Sequence, residues 1–218
     1  MATIRGLICC NSHLLLHAGR VYYDKKEVDG VKKVIYLAGG CFWGLEHLMQ
    51  SIRGVVDAES GYANGRSGEL ANYAAVCTGL TGFRETVKVE YDDEVVSLET
   101  LLAAYFAVID PTLINRQGMD MGTQYQTGIY YTDEESREIV ERMATEEKKK
   151  HPRFYVELRG LENFYPAEEY HQDYLIKNPH GYCHISPAKM AQVRAMVGKW
   201  NIRLTPNVKL CPADKSEI

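Results

Sequence analysis

An apolar run from Val34 to Ala38 is stopped by Gly39-Gly40, and just beyond it Phe42, Leu45, Leu48, Met49 and Ile52 recur at helical spacing until Gly54. A short apolar run bounded by glycines reads as a buried strand, and a three-and-four spacing reads as one face of a helix. Strand, sharp turn and helix packed back on the strand commit the chain to an α/β layer structure. The turn carries Cys41, between Gly40 and Phe42-Trp43-Gly44. A sulfur in the first turn of a helix lies among unpaired N–H groups and the positive end of the macrodipole, so its pKa is expected to be depressed toward a reactive thiolate. The glycines allow close approach of a small substrate, and Phe42 and Trp43 set flat apolar surface beside the sulfur. A buried structural cysteine is the competing reading of the same stretch.

Residues 55 to 63 read as a second strand. In 84 to 91, Val87, Val89 and Tyr91 alternate with polar residues as in a half-buried strand, and Glu85 shares their parity. A carboxylate on that face is either desolvated, which raises its pKa and suits a proton donor, or salt-bridged. Leu98, Leu101, Leu102, Tyr105, Phe106 and Ile109 predict a helix capped by Ser97 and ended before Asp110-Pro111. Residues 110 to 125 read as a long functional loop, dense in hydrogen-bonding side chains: Asn115, Arg116, Gln117, Asp120, Thr123, Gln124 and Tyr125. Gln126 to Tyr131 predicts a strand, and Thr132 to Glu135 a capping box opening a charged helix to about His151. A strand near 153 to 159 and a helix over Glu168 to Lys177 follow. A last helix starts at Pro187, with Met190, Val193, Val197 and Trp200 on one face. Interleaved strands and helices without a Gly-x-Gly-x-x-Gly loop predict a two-layer α/β sandwich.

Composition narrows the function. Lys and Arg total 25 against 29 Asp and Glu, a net charge of -4, so no broad positive field exists for nucleic acid or anionic lipid. No apolar run approaches the roughly 18 residues of a membrane span, and a soluble protein is expected. The six cysteines, Cys9, Cys10, Cys41, Cys77, Cys183 and Cys211, are too sparse for a disulfide scaffold. Leu7 to Leu16 is broken by Asn11, Ser12 and His13 and reads as an extension rather than a targeting signal, which points to a cytoplasmic protein. At 218 residues the chain is long enough for one ordinary domain with extensions.

Cys41 together with Tyr73, Glu85, Asp120, Tyr125 and Cys183 gives the chain a resemblance to the A-type peptide-methionine sulfoxide reductases, which reduce the S epimer of methionine sulfoxide. The blocks that carry it run in order from about Lys33 to Pro187. They are Gly-Cys-Phe-Trp-Gly at 40 to 44, Gly61-Tyr62, Thr81-Gly82 leading to Glu85, and Asp110-Pro111-Thr112. Asn115-Arg116-Gln117-Gly118, Gly122-Thr123-Gln124-Tyr125, Tyr170-His171-Gln172 and Gly181-Tyr182-Cys183 complete them. The resemblance implies a ferredoxin-like core, Cys41 as attacking cysteine, and Phe42 and Trp43 as the pocket for the substrate S-methyl group. It places Glu85, Tyr73 and Tyr125 around the sulfoxide oxygen, with Glu85 donating the proton, and Asp120 in the polar network near the cysteine. It also implies Cys183 as the thiol that resolves a Cys41 sulfenic acid. The disulfide would be reduced by thioredoxin or another dithiol, without a metal or organic cofactor. Free methionine S-sulfoxide and oxidised proteins are the implied substrates, and a monomer is expected.

The chain departs from the family's pattern in having Met119 where an Asn is common, Phe83 where a His is usual, and no recycling cysteine soon after Cys183, Cys211 lying 28 residues on. The reading divides the chain into an N-terminal extension, 1 to 32, a catalytic domain, 33 to 187, and a C-terminal helical extension, 188 to 218. His171, His180, Cys183 and His184 lack the paired spacing of a zinc site. A cysteine acyl-transfer enzyme would need a histidine base, and none of the seven histidines falls in a recognisable partner motif. A catalytically silent methionine-sulfoxide-binding module is the remaining alternative.

Overall fold

The computed structural model describes Leu16–His17, Arg20–Val21 and residues 32 to 204. Cys9, Cys10, Cys211 and the Trp200 side chain, named above, lie outside the described residues. Leu16–His17 (β1) and Arg20–Val21 (β2) pair antiparallel, Leu16 opposite Val21, in a small unit of their own.

The main unit begins with β3 (Lys32–Ala38), α1 (Phe42–Gln50) and β4 (Val55–Ala63). A one-turn helix, α2 (Tyr73–Val76), precedes β5 (Arg84–Asp92) and α3 (Leu98–Val108). Two short strands, β6 (Arg116–Gln117) and β7 (Asp120–Met121), then lead through a 3-10 turn at Thr123–Tyr125 to β8 (Gly128–Tyr131). The chain continues with α4 (Glu134–Lys148), β9 (Glu157–Gly160), β10 (Phe164–Pro166), α5 (Tyr174–Lys177) and α6 (Pro187–Leu204).

The sheet order is β10-β4-β5-β3-β8-β9, antiparallel throughout except for the parallel β8–β9 pair. Within it, β3-α1-β4-β5-α3-β8 is a ferredoxin-like β-α-β-β-α-β unit, in which β5 sits between the two strands that α1 connects. The two-layer sandwich expected from the sequence is borne out. Strand parity decides the core: Ile35 and Leu37 of β3 and Val87 and Val89 of β5 are fully buried with Leu45, Leu48 and Met49 of α1 and Leu101, Leu102 and Tyr105 of α3. Each such aliphatic side chain contributes about 1.5–3 kcal/mol of transfer free energy. The opposite parity, Tyr36 and Ala38 with Ala63, Tyr130, Leu161 and Phe164, forms a smaller second cluster.

Ser97 caps α3 as predicted, its side chain accepting from the Thr100 N–H. At α4 the cap is one residue later than predicted: Asp133, not Thr132, accepts the Ser136 N–H at 2.8 Å and the Ser136 hydroxyl at 2.9 Å. The helix predicted over 168 to 177 shrinks to α5. Asp173 adopts a left-handed φ of 54°, and the Gln172 amide pairs with β4 instead, accepting the Ser60 N–H and donating to the Ser60 carbonyl. The last helix, α6, buries Met190, Val193 and Val197 and packs on α3.

Candidate active site

Cys41 is the N-cap residue of α1, with φ −55° and ψ 124°, at the end of the turn that leaves β3. That turn needs glycine at position 40: φ is +86°, and a Cβ there would fall 2.5 Å from the Gln117 Cβ. The Gln117 amide is itself clamped, its Oε1 accepting the Asp110 N–H and its Nε2 donating to the Asp110 carbonyl, both at 2.8 Å. The Tyr105 hydroxyl donates to the Ala38 carbonyl at 2.8 Å, which ties α3 to the strand end below the cysteine.

The expectation of a depressed Cys41 pKa is overturned. Cys41 is only 6 % exposed, and burial pushes its thiol well above the ordinary range, the Glu85 charge adding to the effect. The Trp43 N–H of the helix start opposes both and is outweighed. Glu85 projects from the start of β5, opposite Tyr62 of β4, and is 2 % exposed. Its Oε2 accepts the Phe42 N–H at 3.1 Å. Burial outweighs that hydrogen bond and raises its pKa to about 8, with Asp120 also raising it. Of the two readings of this carboxylate, the desolvated one holds: it is a neutral acid at neutral pH. Once protonated, it no longer opposes ionisation of the neighbouring thiol.

Two phenols face the same space. Tyr73 begins α2, whose cap is Asn72, and its backbone N–H donates to Glu168 Oε1 at 2.8 Å. The other Glu168 oxygen accepts the Tyr62 hydroxyl at 2.8 Å, so one carboxylate fixes the α2 backbone against β4. Tyr125 ends the 3-10 turn, half-buried, within electrostatic reach of Glu85, Tyr73, Cys41 and Asp120. Burial raises both phenols, which keeps them neutral hydrogen-bond donors. Asp120 reaches the site from β7 and accepts the Tyr182 hydroxyl at 3.0 Å; burial and this bond push Tyr182 up to about 12.

Phe42 is almost wholly buried, its ring centroid 5.1 Å from His171 and 5.9 Å from Tyr62, whereas Trp43 remains partly exposed. Trp43 is held rigidly: its indole N–H donates to His171 Nδ1 at 3.2 Å, and its ring stacks on Tyr174 with centroids 3.7 Å apart. Cys183 reaches the first turn of α1, where a Cβ built on Gly44 would lie 2.9 Å from its Sγ. Cys41, Cys77 and Cys183 are free thiols.

The structure therefore brings Cys41, Glu85, Tyr73, Tyr125, Asp120 and Cys183 into one neighbourhood, with Phe42 and Trp43 following Cys41 in α1. Sequence reasoning missed the supports, Glu168 and His171. The signal for the second is Tyr170-His171-Gln172, a block whose histidine invites only a metal-ligand reading when taken by itself. Among the described residues, no group of three or more His, Cys, Asp or Glu side chains is arranged to hold a metal ion.

A thiol surrounded by neutral acids, with a second thiol against the first turn of α1, is arranged for protonating an oxygen and exchanging sulfur bonds; His171 is engaged with Trp43. Fold and site thus define a cysteine-based redox enzyme. The family described as peptide methionine sulfoxide reductase matches residues 33–200. Peptide methionine sulfoxide reductase MsrA of Clostridium acetobutylicum is 52% identical over 156 residues, spanning 71% of this chain and 95% of that protein. The MsrA of Clostridium perfringens (strain 13 / Type A) is 51% identical over 156 residues, 71% of this chain and 98% of its own. Mxr1 from Saccharomyces cerevisiae in reduced form aligns with a TM-score of 0.68 at 37% identity, covering 71% of this chain and 91% of that one. Methionine sulfoxide reductase A of Corynebacterium diphtheriae gives 0.64 at 36% identity, over 72% and 79%. The chain belongs to the peptide methionine sulfoxide reductase family, A type, and its activity is thiol-dependent reduction of methionine sulfoxide. No helix among the described residues is long and apolar enough to cross a membrane.

Proposed function

We propose that the chain reduces the S epimer of methionine sulfoxide, free or within oxidised proteins, through Cys41, Glu85 and Cys183 acting in turn. The observation that carries this reading is the buried Glu85 acid beside the Cys41 thiol, joined through the Phe42 N–H at 3.1 Å. A sulfoxide oxygen leaves only if protonated, and a carboxylic acid with its pKa raised to about 8 is the group to supply that proton. Trp43, with Phe42 behind it, cradles the S-methyl group, and Tyr73 and Tyr125 donate to the oxygen as it gains charge. Asp120 completes the network through Tyr182.

The Cys41 sulfur attacks the sulfoxide sulfur, methionine departs, and the oxygen stays on Cys41 as a sulfenic acid, the first and reversible stage of thiol oxidation. Cys183 then displaces the oxygen as water and forms a disulfide with Cys41. An external dithiol, thioredoxin, reduces that disulfide and closes a cycle that uses no metal or organic cofactor. Dependence on free thiols suits a reducing compartment such as the cytosol.

Two results test the scheme. Supplied with separated epimers and dithiothreitol, the protein reduces the S epimer and leaves the R epimer; reduction of R at a comparable rate contradicts it. Cys183→Ser releases about one equivalent of methionine and then stalls with thioredoxin as reductant, because the first step does not need the resolving thiol. Undiminished thioredoxin-linked turnover removes Cys183 from the mechanism.

A further inference from the structure

The residue after Cys183 has no part in the scheme above, yet its ring sits against the same turn. The His184 Cε1 lies 3.6 Å from where a Gly40 Cβ would stand, and its Cβ lies 3.4 Å from where a Gly118 Cβ would stand. On the other side of Cys41, the Cys183 Sγ lies 2.9 Å from a Cβ built on Gly44, and the Ile185 Cδ1 lies 3.2 Å from it. The dipeptide thus straddles the reactive cysteine: Cys183 rests on the helix side, at Gly44, and His184 on the strand side, at Gly40. Two of the three contact points are glycines with positive φ, Gly40 at 86° and Gly118 at 57°, and side chains at these glycine positions would narrow the socket.

The chemistry of the ring says how it acts. The imidazole is half-buried with both nitrogens shut off from solvent, and the Gly39 carbonyl and the Asp120 charge lie beside it. Burial lowers its pKa, against the opposing pull of Asp120 and the Gly39 carbonyl, so the ring is neutral. A neutral ring packed between two glycines acts on its segment through its shape. Ile185, 3 % exposed, anchors the other end of the same short segment in a cluster with Leu175 and Met190.

We propose that His184 is a positioning residue for the second half of the cycle: its ring, seated between Gly40 and Gly118, holds Cys183 against Cys41. The proposal rests on Cys183 being the resolving thiol. In the step it serves, the Cys183 sulfur bonds to the Cys41 sulfur and the Cys41 S–O bond breaks. Oxygen leaves as water after taking up the Cys183 proton; the Cys41 sulfur is reduced and the Cys183 sulfur oxidised, with no other reactant.

The test is a single turnover of the reduced full chain with one equivalent of methionine S-sulfoxide. Released methionine and the Cys41–Cys183 disulfide are followed separately by acid quenching and peptide mass mapping. In His184→Ala the methionine burst stays within about twofold of the wild-type rate while disulfide formation slows by about tenfold or more. His184→Phe refills the socket and restores disulfide formation to within about threefold of wild type. A wild-type disulfide rate in His184→Ala overturns the proposal. So does an equal fall in burst and disulfide rates, which is general damage. A disulfide rate that stays slow in His184→Phe also overturns it, by assigning the effect to the ring nitrogens. If the wild-type chain itself forms no Cys41–Cys183 disulfide, the underlying assignment of Cys183 has failed, a result distinct from the other three.

Discussion

Cys41→Ser leaves no methionine production above the uncatalysed blank while the protein remains folded. The two halves of that expectation have different causes. A serine hydroxyl cannot supply the polarisable sulfur that attacks a sulfoxide and carries the oxygen away as a sulfenic acid, so the chemistry stops before its first bond forms. The fold is spared because position 41 is the N-cap of α1, where no side chain now makes a capping hydrogen bond and serine is among the favoured residues. Substrate assays beside thermal unfolding check both halves: activity absent, and a melting temperature equal to or above that of the parent. Activity within about tenfold of the parent would mean that another thiol does the work.

Glu85→Gln lowers the rate of the first step by about a hundredfold or more, the usual scale for loss of a general acid. Glutamine keeps the shape and can still accept the Phe42 N–H, so the loss is of the proton and not of the site. The pH dependence separates this from a steric effect. With its pKa raised by burial to about 8, Glu85 is protonated below that pH and ionised above it, so the rate it supports falls as pH rises through about 8. Cys41, also raised, contributes an opposite limb, and the two titrate as a coupled pair. The falling limb is absent in Glu85→Gln. Stability follows the same group: between its ordinary pKa of 4.5 and about 8 the folded state holds a proton that the unfolded state has lost. The parent therefore loses stability as pH rises through that window, and the glutamine variant loses less. Melting temperatures over the window measure it; unchanged slopes, or normal rates at neutral pH, contradict the role of Glu85.

The sheet and its two crossover helices were legible because each is half-buried and writes its own period into the chain. Val87, Val89 and Glu85 share a parity that is also a burial pattern, and Leu45, Leu48 and Met49 share a helical face. Segments held by side chains leave no such period. The chain from Glu168 to Asp173 is kept out of helix by Gln172 bonding to Ser60 and by the left-handed Asp173, and neither is visible in hydrophobic spacing. The reacting groups were legible through several motifs in order rather than through any one residue. Their electrostatics were legible for Glu85, whose parity put it on the buried face, but not for Cys41. The sequence reveals that Cys41 starts a helix, but the depth of its burial and the carboxylate that β5 sets beside it depend on the sheet register, and together they outweigh the helix end. The same holds for Trp43, whose fixing by His171 spans 128 residues of chain.

Transfer of the sulfoxide oxygen to Cys41 is read from the mass of Cys183→Ser after one equivalent of methionine S-sulfoxide, trapped in acid and mapped by peptide. The expected result is one added oxygen on the Cys41 peptide, reactive toward a sulfenic-acid probe, in proportion to the methionine released. Methionine released with Cys41 unmodified, or the oxygen found on Cys77, would contradict it.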